Sequence, residues 1–146
     1  MFPWVGRFVW VFVFISIATI GRAETPCDGI DQSVSAQEKQ AWAPIVVKRL
    51  NIILAQLHDT EHVSQVDFLK MFRSHDWAIL YVEDYVTDET SLVYKGNPAS
   101  GTYVTMDAGT LFISEEREYE RKLLKRAPGI PPDLARCYVW YFAEGQ

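Results

Sequence analysis

His58-Asp59-Thr60-Glu61-His62 sets two imidazoles and a carboxylate in the order H-x-x-E-H. On a regular helix that order lets zinc peptidases hold a metal with the histidines and activate water with the glutamate. The geometry needs helix through all five residues. Ser64, two positions on, has the type and setting of an N-cap, whose backbone is not helical. A solvated link between two helices therefore accounts for the segment. Catalytic zinc also needs a third protein ligand. Glu83, Asp84, Asp88, Asp107 and His75 are all of suitable type, and none is marked by spacing. A zinc-dependent hydrolase using His58, Glu61 and His62 stands as the alternative reading.

Glu83, Asp84, Asp88 and Glu89 form an acidic group around the end of a strand and its turn. They lack the D-x-[DN]-x-[DN]-G spacing of a calcium loop. Paired carboxylates for sugar hydrolysis depend on a separation that one dimension does not contain. A charged turn that keeps a hairpin soluble is the plainest reading; an anionic surface for a basic protein is the functional one. Nucleophilic chemistry has little support, because the chain holds neither a G-x-S-x-G elbow nor a glycine-rich phosphate loop. No cofactor is implied. The residue types favour binding over catalysis.

Tyr81, Tyr85, Tyr94, Tyr103, Tyr138, Trp140 and Tyr141 concentrate in segments of strand character. Tyrosine and tryptophan offer rigid, amphipathic contact area. Read as a strand, residues 137–142 put Tyr138, Trp140 and Phe142 on one face and Cys137, Val139 and Tyr141 on the other. If helices cover only one side of the sheet, the second aromatic face needs a cover: the N-terminal lead, a ligand or another protein. Tyr138 and Trp140 are therefore binding candidates beside the acidic group.

The leader sets the compartment. One charge at Arg7, an apolar run over residues 8–20 and the small residues Gly21 and Ala23 follow the three-part plan of a signal peptide, residues 1–23. The run is shorter than the roughly 20 residues a spanning helix requires, so stable membrane insertion after cleavage is not expected. The remaining residues, 24–146, suit a single domain. The leader's only charges are Arg7 and Arg22, so its removal takes the formal charge from −5 to −7. Such a balance disfavours nucleic acid, which selects positive surfaces, and fits a basic protein partner. Cys27 and Cys137 are the chain's two cysteines. In a periplasmic or secreted setting they are expected to pair, tying the lead to the last strand.

Ser35 and Glu38 have the form of a capping box. Trp42, Ile45, Val46, Leu50, Ile53 and Leu57 then recur at helical spacing, with Pro44 inside a single bent helix. The spacing predicts a second helix from Ser64, with Asp67 in its first turn and Val63 and Phe68 as a hydrophobic staple. Period two follows: residues 77–86, 91–95 and 102–106 read as a three-strand meander, with 96–101 as a hairpin loop and 110–113 as a further short strand. Ser114 opens a third helix, acidic at Glu115 and Glu116 and basic at Lys125 and Arg126. Residues 127–132 stop it, and 137–142 read as a final strand.

The expected fold is α+β in the order α-α-β-β-β-α-β, with the helices on one face of an antiparallel sheet. The expected function is that of a small exported, non-catalytic binding protein, such as an inhibitor or immunity-type partner of a basic protein. A small-ligand carrier, with its pocket between sheet and helices, is a further alternative.

Overall fold

The computed structural model describes residues 24–87, 89–108 and 115–144. The expected signal segment 1–23, Asp88, the expected 110–113 strand and the expected Ser114 cap lie outside the described residues. The elements are α1 (Ala36–Gln56), β1 (Asp67–Ser74), β2 (Trp77–Glu83), β3 (Thr90–Lys95), β4 (Thr102–Ala108), α2 (Glu116–Arg126) and α3 (Pro132–Ala143). The four strands form one antiparallel sheet in sequence order. The fold is α+β, but its order is α-β-β-β-β-α-α.

α1 starts as its sequence dictates. The Ser35 side chain accepts from the Glu38 amide while the Glu38 carboxylate accepts from the Ser35 amide. The helix runs through Pro44 and buries Trp42, Val46, Leu50 and Leu54, one residue per turn on a single face. That face lies on the sheet against Phe68, Met71, Leu80, Val82, Leu92 and Tyr94.

The expected second helix is strand β1, and the reason is local. A bulge between Phe68 and Lys70 puts Phe68 and Met71 on the same side of the sheet, three residues apart. That spacing imitates a helix. Phe72 then points to the opposite face. A two-residue turn, with His75 at φ 54°, returns the chain into β2. The three expected strands appear as β2, β3 and β4. Asp84–Val86 fall outside β2 as a turn, and β4 extends to Ala108.

The expected C-terminal strand is helix α3. Pro132 occupies a first-turn position with Asp133 beside it, a helix start as much as a stop for α2. Counted from there, Leu134, Tyr138, Tyr141 and Phe142 fall on one helical stripe. Tyr138 and Tyr141 meet Phe72 edge-on at 5.7 and 5.2 Å between ring centres, and Phe142 meets Tyr81 at 4.7 Å. The strand-like pairing of Tyr138 with Trp140 on one face does not occur.

Helices consequently cover both faces of the sheet rather than one. α2 and α3 pack on Phe72, Trp77, Ile79 and Val93, opposite to α1. The aromatic face that lacked a cover is closed by the chain itself.

Two ties hold the lead, residues 24–35. Cys27 is disulfide-bonded to Cys137 of α3 rather than to a strand. Asp31 pairs its backbone with Arg73 on the edge of β1, at 3.0 and 2.8 Å. The Arg73 guanidinium also bonds the Asp31 carboxylate, and at 2.9 Å the Glu38 carboxylate of the capping box. The disulfide is consistent with an oxidising compartment. Among the described residues no helix is long and apolar enough to cross a membrane.

The bridge spans 110 residues of sequence. Replacing both Cys27 and Cys137 by alanine should therefore lower unfolding free energy by roughly 2–5 kcal/mol, read from denaturant midpoints. A loss below about 1 kcal/mol would show that the lead is held by other contacts. The Arg73 network predicts a pH effect. The Ser33 hydroxyl and amide, then Arg73, hold Asp31 below its ordinary pKa; the Ser35 amide, then Arg73, does the same for Glu38. Depressed carboxylates contribute stability that is complete above the ordinary values, 3.8 and 4.5, and drains as pH falls below them. Arg73→Met should flatten that acid limb without abolishing it, because the serine bonds remain. Parallel stability curves for the two proteins would refute the assignment.

Candidate functional site

His58, Glu61 and His62 lie after α1 in an exposed, non-helical link. His58 has φ 58°, the left-handed conformation common just past a helix end. The helix that the zinc pattern depends on stops at Gln56. Among the described residues no group of three or more His, Cys, Asp or Glu side chains is placed to hold a metal. The link is anchored at its far end: the Asn51 side chain of α1 bonds both the amide and the carbonyl of buried Val63.

The acidic group divides into separate roles. Asp84 is buried, with 1 % of its surface exposed. One oxygen of its carboxylate accepts from the amides of Val86 and Thr87 at 2.9 and 2.8 Å, and the other from the Thr87 hydroxyl at 2.7 Å. Asp84 therefore organises the β2–β3 turn from inside, as aspartate does where its side chain replaces backbone partners. Glu83 accepts from the amide of Tyr85, and Glu89 from the hydroxyl of Tyr81. Neither Glu83 nor Glu89 belongs to an ion pair among the described residues.

Two more residues join this end of the molecule: Tyr85, which in sequence is one of the strand aromatics, and Asp67, which sequence spacing assigns to a helix. Tyr85 projects from the turn, 58 % exposed, at φ 62°. A non-glycine residue in that region persists where its surroundings over-determine it. Here the Glu83 side chain holds its amide, and its own hydroxyl donates to Asp67 at the start of β1. That bond to a carboxylate raises the Tyr85 pKa. Asp67 in turn sits directly opposite Glu83 in the β1–β2 register. Like charges so placed repel across a strand pair. The signal for Asp67 was available only to a reading that made 67–74 a strand. As a helix first-turn residue, it looked like a partner of the dipole.

Tyr138 is 5 % exposed, packed between Phe72 and Phe142, and burial pushes its phenol far above the ordinary value. It belongs to the core of the α3 face. Trp140 is half-buried beside a cleft of about 240 Å³ that also takes in Pro26, Arg117 and Arg136. The two thus differ in setting, Tyr138 in the core and Trp140 at a cleft.

What the turn can do is present one fixed aromatic ring held by two carboxylates, Asp67 and Glu83. Its rigidity should depend on Asp84. Asp84→Ala leaves two amides and a hydroxyl without their acceptor and should cost about 2–3 kcal/mol, measured by denaturant unfolding. Asp84→Asn keeps one acceptor oxygen and should cost less. Equal small losses in both would mean that the turn is held otherwise. No protein family, curated protein or solved structure matches this chain, so its function has to be argued from its own geometry.

Proposed function

We propose that the chain is an exported, non-catalytic binding protein that docks a basic protein through the β2–β3 turn and the start of β1. The observation that carries the reading is Tyr85, exposed and locked by Asp67 and Glu83, with those two carboxylates opposed across the strands. A rigid tyrosine loses little conformational entropy on binding, which is why such residues anchor interfaces. The opposed acids are an unfavourable pair in isolation. A lysine or arginine supplied from outside relieves their repulsion and gains a charge-assisted bond.

Three further features support this reading. The signal-like leader and the Cys27–Cys137 bridge fit a periplasmic or secreted setting. The formal charge of −7 after leader removal steers cationic surfaces towards the molecule. An inhibitor or immunity-type role is the specific form we favour, because small acidic bodies that only bind suit the blocking of a basic enzyme surface. The buried aromatic residues of the sheet do not enter the argument, since α1 covers those on one face and α2 and α3 those on the other.

The test uses the leaderless, oxidised chain as bait in its own exported compartment, followed by affinity measurement on the captured partner. Affinity should fall steeply from low to high ionic strength. Tyr85→Ala should weaken binding by about 2 kcal/mol or more, the scale of an interface anchor. Asp67→Asn and Glu83→Gln should each reduce the association rate and blunt the salt dependence. An affinity indifferent to salt and to Tyr85 would rule out docking at this turn.

A further inference from the structure

At the opposite end of β3 the electrostatics reverse. Arg73, Lys122, Arg126 and Arg136 each have a carboxylate partner. Arg49 of α1 has none among the described residues. Its guanidinium instead lies over the Tyr103 ring, 4.6 Å from the centre. With Lys48, Ile45, Tyr94, Pro98 and Tyr103 it lines a cleft of about 460 Å³ between α1 and the β3–β4 hairpin. That size is within the range of small-molecule sites. The hairpin loop folds tightly on itself here: a Cβ on Gly101, another wall residue, would stand 2.4 Å from the Lys95 carbonyl oxygen.

Tyr94 supplies the second, independent observation. It is 98 % buried, and among the described residues its hydroxyl meets no acceptor, while the Arg49 guanidinium lies near its oxygen. Burial raises its pKa, with the nearby Arg49 charge acting in the opposite direction. A buried donor without an acceptor is destabilising, and phenylalanine would fill the same space without that cost. Among the described residues, a hydroxyl without an acceptor and a guanidinium without a carboxylate thus belong to one cleft.

We propose that this cleft binds a small carboxylate with an apolar body, the carboxylate forked by Arg49 and the body against Ile45 and Pro98. The planar guanidinium matches a carboxylate with two parallel bonds. Lys48 adds charge at the mouth. The anion draws Arg49 off the Tyr103 ring, and the Tyr94 hydroxyl, out of reach of water in the unliganded arrangement, then donates to the ligand. This site is independent of docking at the acidic turn, and either can fail without the other.

Benzoate is the probe, titrated into the isotope-labelled, disulfide-bonded protein and followed by amide shifts. Saturable shifts should centre on Arg49, Tyr94 and Gly101. Arg49→Gln should weaken benzoate about tenfold or more, and Lys48→Gln about twofold. Tyr94→Phe should weaken it about threefold while leaving the protein at least as resistant to denaturant, a combination that a purely structural tyrosine does not produce. Benzamide tests the need for charge, and inorganic phosphate the need for an apolar body; both should bind at least about tenfold more weakly. Absence of saturable shifts, equal binding of benzamide or phosphate, or an unchanged affinity in Arg49→Gln would each overturn the proposal.

Discussion

A strand buried on both sides is the constraint from which the rest of this structure follows. Trp77 to Val82 of β2 are six consecutive residues of which none is more than 7 % exposed. Alternate residues face opposite ways, so such a strand is stable only if both faces of its sheet are covered. Leu80 and Val82 need one layer, Trp77, Ile79 and Tyr81 another. α1 supplies the first; α2 and α3 supply the second. The order of elements answers this requirement, with one covering helix before the meander and two after it. The disulfide then joins the two ends of the chain, Cys27 on the lead to Cys137 in the middle of the second layer.

Much of this was legible in the residues. The capping box, the Trp42-Val46-Leu50-Leu54 stripe, the meander of β2 to β4 and the cysteine pair all follow from local chemistry that tertiary packing did not overrule. The near-continuous apolar run of β2 was itself the sign of a sheet covered twice. Two segments were not legible locally. In β1 a bulge shifted the alternation and left a three-residue spacing between Phe68 and Met71, which one dimension cannot separate from a helical turn. In α3 the run 137–142 is rich in residues favoured in strands, and only the wider window from Pro132 reveals the period of a helix. One error produced the other: with the last element read as a strand, a sheet face was left bare.

Closing that face alters where function can reside. Of the aromatic residues that suggested a contact surface, Tyr81, Tyr94 and Tyr138 are core and Tyr85 is exposed, so the proposed binding groups lie at the two ends of the sheet. Of the acidic group, Asp84 is internal scaffolding, while Glu83 and Glu89 stay at the surface and are joined by Asp67 and Tyr85. This distinction between a buried and an exposed carboxylate of the same tetrad is not written in sequence, because it depends on how the turn coils back over Asp84. The cationic cleft at the other end was equally hidden, since Arg49 and Tyr103 are 54 positions apart and meet only through the packing of α1 on the hairpin. Opposite charge at the two ends of β3 gives the molecule two faces of different chemistry on one rigid frame.

Amide hydrogen exchange on the oxidised protein without residues 1–23 tests the doubly covered sheet most directly. The account predicts that the amides of β2 exchange only through global unfolding, with α1 and α3 both protected by their packing on either side. Rapid exchange throughout α3 with continued protection of α1 would contradict it, because one face of the sheet would then be open.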